Sequence, residues 1–324
     1  MKLHHQVKLL LTLIMVALVA TSCLSEEWPD VEPIDAEDFA ADHQEWRNNR
    51  REGLVRPFSG VVLWMGLWNL DQGATPFGSD PELPITLPEM DSPALAGTLH
   101  RSGQEITIEP APNSQISFRE GDLIESKTVL NSDRSGNTTN LALGSLGMRI
   151  HGEPGTDRLW LRVWDEDSPK RESFPLPENF PVDTAWRIRA KFEPFGESRG
   201  LPVADVTQGM LEYQTPGELV FQVNGETQRL IAVADANSTS FHVMLWDPTA
   251  NKETYQLGRY LSVPIPEDDA WTTEKEGWTV MDFNRTRNPP CVFSAFSVCA
   301  LPPQQNRLEV PITAGEKRPA EAAY

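Results

Sequence analysis

Histidine is scarce in this chain, six in 324 residues, and beyond His4 and His5 the remaining four are scattered: His43, His100, His151 and His242. Cysteine is scarcer still, at three. The Gly-x-Ser-x-Gly elbow, a Gly-rich phosphate loop ending in Lys-Ser/Thr, and His-Glu-x-x-His are all missing, which removes the commonest motif-bearing hydrolases, nucleotide enzymes and zinc proteases. Cations are also short: 28 Lys and Arg face 47 Asp and Glu, a net charge of −19. Phosphate backbones need clustered Lys and Arg, so no nucleic-acid partner is expected. Long apolar runs are absent too. The longest, Leu9–Ala20, is twelve residues, too short for a stable membrane span.

That run is what a secretory signal needs. "MKLHHQVK" precedes it as a basic n-region, and "ATSC" follows it. The pattern matches a lipobox, with residues 1–22 removed and Cys23 acylated. Leu24 rather than Asp follows the cysteine, which points to the outer membrane. The expected location is the periplasmic face of the cell envelope, with the bilayer as a partner through Cys23, each buried methylene contributing ~0.8 kcal/mol. Residues 23–34 read as an acidic tether.

What is present is β-rich. The chain has 27 Pro and 21 Gly, which favours short strands and turns over helices. One helix is expected over 35–53, with Asp35 as N-cap and Gly53 as stop. Phe39, His43, Trp46 and Arg50 share one face of it, with His43 read as a packed partner of Trp46. From Gly60 the period drops to two. Residues 54–168 read as an antiparallel β-sandwich, and 169–318 as a second β region of sandwich or barrel-like form. Residues 319–324 read as a tail. "WRIRAKF" puts Trp186, Ile188, Ala190 and Phe192 on one face, with Arg187, Arg189 and Lys191 on the other to neutralise neighbouring carboxylates. Asn224-Gly225 marks a tight hairpin. His242 reads as a half-buried strand residue.

The densest chemistry lies in "DFNRTRNPPCVFSAFSVCALPPQQNR", Asp282 to Arg307. Export into an oxidising compartment lets Cys291 and Cys299 pair. A bridge closing that nine-residue loop would contribute about 2.6 kcal/mol. A zinc pair would want closer spacing, and a catalytic thiol would want a histidine beside it. No metal and no cofactor is therefore assigned, although a metal or thiol role stays open for the cysteines. Around them, Asp282, Asn284, Arg285, Arg287, Asn288, Asn306 and Arg307 are either a scaffold for an irregular loop or a pocket. Arginine suits bidentate contact with carboxylate or phosphate. The candidate ligand site is Arg259, Tyr260, Asp282, Asn284, Arg285, Asn288, Asn306 and Arg307.

Two resemblances bear on this. The order of turns and strands over about 60–165 is similar to a forkhead-associated β-sandwich. Gly78 is followed by Ser79, not Arg, and "SPALAG" has no His, so that family's phosphothreonine recognition does not carry over. "TYQLGRYL", "MDFNRTRNPPCVFSAFSVC" and "LPPQQNRLEVPITAGEK" resemble the bacterial and archaeal proteins grouped as domain-of-unknown-function family 1684. So do "WMGLWNLDQG…FGSD", "LRVWDEDSP", "FPVDTAWRIRAKFEPF" and "TPGELVFQVNG", so that the resemblance covers about Trp46 to Lys317. The family pattern has an Ala-Tyr-like pair where Thr286-Arg287 stand, so Arg287 is an addition. Members without export signals carry the same two cysteines, which strengthens the metal or thiol alternative while the bridge stays the leading reading. The family assigns no activity. The leading expectation is an exported, lipid-anchored binding module for a polar or anionic small molecule. The alternatives are an envelope hydrolase working through Asp282, Asn284 and Arg285, with a metal or cysteine, and a structural envelope lipoprotein.

Overall fold

The computed structural model describes residues 28–175, 177–235, 238–266 and 276–320. The expected signal segment, residues 23–27 of the tether including Cys23, and the last four residues of the tail lie outside the described residues.

The helix α1 spans Ala36–Val55. Asp35 caps it as expected, its Oδ1 accepting from Glu37 N–H at 2.8 Å and Asp38 N–H at 3.1 Å. The helix runs through Gly53 and stops at Arg56. Arg56 precedes Pro57, and the proline ring drives the preceding residue out of the helical region. That signal overrides the glycine. Phe39, His43 and Leu54 are buried along its inner face.

Ten strands follow among the described residues: β1 (Trp64–Asn69), β2 (Gly73–Gly78), β3 (Ile85–Thr86), β4 (Gly97–Ser102), β5 (Glu105–Pro110), β6 (Ser117–Phe118), β7 (Thr128–Leu130), β8 (Asn140–Leu143), β9 (Leu146–Gly152) and β10 (Leu159–Asp165). They form two five-stranded sheets, ordered β1-β10-β9-β8-β6 and β3-β2-β4-β5-β7. Met148, Ile150, Leu161 and Val163 from the first meet Phe77, Leu99, Ile106 and Ile108 from the second in one core. This is the expected sandwich, built by period-two alternation.

A four-residue helix α2 (Lys170–Ser173) leads to the second half, with β11 (Arg187–Ala204), β12 (Met210–Val223), β13 (Glu226–Ala232), β14 (Ser240–Leu245), β15 (Arg259–Pro264) and β16 (Gly277–Asp282). A sheet β13-β12-β11-β16 faces the β14-β15 pair. Phe192, Phe221, Leu230 and Met281 from one side pack on Phe241, Val243, Leu261 and Val263 from the other. Each such side chain, fully buried, contributes ~1.5–3 kcal/mol. Leu308, Val310, Ile312 and Ala314 complete this core as a C-terminal strap. Among the described residues no sheet closes into a barrel.

The local expectations hold well here. Ala190 and Phe192 point inward, and Lys191 Nζ meets Glu276 on the partner strand's approach at 2.9 Å. Asn224 and Gly225 turn β12 into β13 with φ of 53° and 81°, the positive values a tight hairpin needs. Residues from Pro33 onward form one compact unit. A third core joins its halves, bringing Leu54, Val62 and Trp164 against Tyr255, Cys291, Val292 and Cys299.

Candidate functional site

The segment after β16 is held by its own side chains. Asp282 Oδ1 accepts from Asn284 N–H at 3.1 Å and from Asn284 Nδ2 at 3.0 Å. Asp282 Oδ2 meets His43 Nε2 at 2.8 Å and lies 3.4 Å from Arg285 Nε. Both carboxylate oxygens are thus committed to the loop and to α1. His43, fully buried, packs edge-on against Phe39 at 4.5 Å between ring centroids and against Trp46 at 6.3 Å. Trp46 is a neighbour, as expected, but the polar anchor is Asp282.

The candidate ligand residues divide sharply. Arg259 is fully buried; its Nη2 donates to Asp247 Oδ1 at 3.0 Å and to Ile312 O at 2.9 Å, and its Nη1 to Ala314 O at 2.6 Å. It clamps the C-terminal strap and faces no cleft. Tyr260 donates its hydroxyl to Ala300 O at 2.7 Å. Asn284 exchanges bonds with Asp183 N–H and O at 3.0 and 2.9 Å. Asn288 N–H donates to Glu316 Oε2 at 2.7 Å and its Nδ2 to Lys317 O at 2.9 Å. Asn306 Oδ1 accepts from Ile231 N–H at 2.6 Å, and Nδ2 donates to Ile231 O and Met244 O at 3.0 and 2.8 Å. Arg307 lies over the Trp246 ring at 4.2 Å. Polar groups so deeply buried need partners, and backbone groups with Asp247 and Glu316 supply them for all but Arg259 Nε and Asn288 Oδ1. The scaffold reading therefore applies to Arg259, Tyr260, Asn284, Asn288 and Asn306.

Arg285 and Arg287 differ. The bridge between Tyr260 and Arg287, with N–H···O distances of 2.8 and 2.9 Å, lays residue 287 alongside β15. The β14-β15 register sets Ser240 opposite Pro264 and His242 opposite Ser262. Alternation sends Phe241 and Val243 into the core, so these four residues share the outer face. Arg287 Nη1 donates to Ser262 Oγ at 3.1 Å. Trp46, Arg285, Arg287, Ser240, Ser262 and Pro264 line a cleft of about 330 Å³.

Its electrostatics are asymmetric. Arg285 pairs with Asp42 of α1 and with Asp282. Arg287 has no carboxylate within ion-pair distance among the described residues. Burial, then the nearby Arg50 guanidinium, hold its pKa below the ordinary arginine value, while Glu316 opposes that pull. Arginine remains charged at neutral pH all the same. Burial, then Arg287, push His242 on the same face down to about 4, so it is neutral there.

Trp46 also lines a second cleft, of about 250 Å³, with Arg47, Arg50, Pro177 and Glu316. There Arg50 Nε meets Glu316 Oε1 at 3.0 Å and Arg50 Nη2 donates to Asn288 O at 3.0 Å. Together with His43–Asp282 and Asp42–Arg285, these contacts fix α1 beside the cleft.

The cysteines stand as free, buried thiols, not as the expected bridge. Cys291 N–H donates to Cys299 Sγ at 3.0 Å, and Tyr255 Oη lies 3.8 Å from Cys291 Sγ. The Cys291 thiol donates toward Cys299, which together with burial pushes its own pKa up. Loop closure here comes from packing in the third core rather than from a covalent bond. Among the described residues, no group of three His, Cys, Asp or Glu side chains converges as a metal ion would need.

Sequence reasoning reached Arg285 but left Trp46, Ser240 and Ser262 out of the site. Trp46 was visible only as a member of a helix stripe. The serines carry no local signal, because strand pairing brings Ser240 and Ser262 together from well-separated positions in the chain.

Residues 172–317 match the family model described as "Protein of unknown function (DUF1684)". This is the family that the C-terminal motifs resemble, and the matched stretch contains both arginines and both cysteines but not α1. No curated protein matches the chain. Among solved structures, the chain is similar to an uncharacterized protein of Haloarcula marismortui, determined by solution NMR. The identity is 28%, over 46% of this chain and 80% of that one, with a TM-score of 0.38.

Proposed function

We propose that the protein is an exported binding module, anchored to the envelope through acylated Cys23, that takes a small anionic molecule in the cleft between Trp46, Arg285 and Arg287. The observation that carries the reading is Arg287. It is a half-buried guanidinium with a serine hydroxyl as its partner, opening on a cleft walled by an indole. A cation in such a setting gains most from an anion that takes two of its N–H donors at once. The leader ending in "ATSC" supports the envelope location. The hydrolase alternative fits less well, because Asp282 has its oxygens taken by Asn284, His43 and Arg285 and so acts as a positioning group for the loop.

The test is a thermal-shift titration with acetate, phosphate and citrate. A ligand at 100 times its dissociation constant adds about 2.7 kcal/mol, enough to raise Tm by a few degrees. The rise should vanish in Arg287→Ala and persist in Arg307→Ala. No rise with any anion, or an equal rise in Arg287→Ala, would overturn the assignment.

A further inference from the structure

The cleft holds more than cations, and its other groups narrow the ligand. We infer that it receives a single hydroxylated ring bearing an acidic group, a uronic acid or a sugar phosphate. The inference rests on the anion-binding reading above and adds the rest of the molecule to it.

Three features of the lining carry this. Thr239, Ser240 and Ser262 line the cleft together with the arginines. A hydroxyl both donates and accepts, so a row of them suits a partner rich in hydroxyls and gives little advantage to a bare carboxylate. Trp46 and Pro264 supply the apolar surface. A tryptophan ring offers a large flat face at low entropic cost, and the C–H face of a sugar ring is the complementary apolar surface on an otherwise polar molecule. The volume sets the size. At about 330 Å³ the cleft sits at the bottom of the roughly 300–1,000 Å³ range of small-molecule sites, which suits one ring with its acidic substituent.

The arrangement also orients the guest. Arg287 stands beside Ser262 on β15, and Ser240 lies opposite Pro264 on β14, so the cationic edge and the hydroxyl floor are offset along the strand pair. An acidic group at Arg287 places ring hydroxyls over the serine and threonine side chains. His242, on the same face and neutral, adds no competing charge.

Isothermal titration of the full-length protein with five probes tests this: acetate, phosphate, glucose, glucuronate and glucose 6-phosphate. At least one of the two sugar acids should bind ten-fold or more tighter than the simple anion bearing the same acidic group, and which of them does so identifies the acid. Ser240→Ala, at a half-exposed position, should remove most of that advantage. Sugar acids that bind no tighter than acetate and phosphate would overturn this inference and leave the anion reading standing. An advantage unchanged in Ser240→Ala and in Thr239→Val would overturn it equally. No binding by any acid would overturn both.

Discussion

Arg259 and Asp247 meet at 3.0 Å with neither side chain more than 2% exposed. The same guanidinium reaches three carbonyls of the C-terminal strap, at Ile312, Ala314 and Glu316. Asp247 Oδ2 also accepts from Ile312 N–H at 2.9 Å. One ion pair thus fixes the strap to β15 and holds Glu316 where Arg50 and Asn288 can use it. Removing one partner leaves the other charge buried and alone, which costs about 3–5 kcal/mol. Arg259→Met should lower the unfolding free energy measured in urea by that amount, and Arg259→Met with Asp247→Leu should recover part of it. A single variant as stable as the wild type would show that the pair does not hold the strap.

Asn306 makes a similar claim on stability with no charge involved. Its amide bonds Ile231 in β13 and Met244 in β14, neighbouring strands of different sheets. Asn306→Ala would strand an N–H and two carbonyls, each unsatisfied group costing about 1–3 kcal/mol where water cannot enter. A loss of at least about 2 kcal/mol in chemical denaturation is expected. Asn306→Asp should recover little, because a carboxylate cannot donate to the two carbonyls.

These two residues show where the sequence was legible and where it was not. The faces of β10 and β11 were readable because period-two alternation is a local property. Asp35 was readable as a cap because capping acts over three residues. Arg259 and Asn306 were not. An arginine among polar neighbours has the same one-dimensional signature whether it grips a ligand or a carbonyl fifty residues away. The cleft was half legible for the same reason: Arg285 and Arg287 sit in a visibly unusual stretch, whereas Trp46 arrives from α1, more than two hundred residues earlier. The glycine at 53 misled because Pro57, four residues on, carried the stronger signal.

The cysteine pair gives a third expectation. Cys291 and Cys299 are 1% and 2% exposed and free. In a chain carrying Cys23→Ser, both thiols should react with a thiol reagent only as fast as the third core opens, and at once in denaturant. Fast labelling of the native protein would place the pair at an accessible surface. Failure to label after full denaturation without reductant would show the bridge that export favours.

His242 gives a pH dependence whose sign can be worked out. Unfolded, it titrates near 6.5; folded, burial and then Arg287 bring it to about 4. Between those values the unfolded chain holds a proton that the folded one refuses, so falling pH favours unfolding. The stabilisation is complete above about pH 6.5 and is lost progressively toward pH 4, amounting to about 2 kcal/mol by pH 5 at 1.36 kcal/mol per pKa unit. His151 shifts the same way, chiefly through burial, so the slope of the wild type alone mixes the two. The difference between wild type and His242→Gln isolates this residue. Measured by urea denaturation at pH 7 and pH 5, the gap between them should change by about 2 kcal/mol in favour of the variant as the pH falls. A gap that stays constant would mean that His242 takes up its proton in the fold as readily as in the unfolded chain. The outer face of β14 would then carry a second cation beside Arg287.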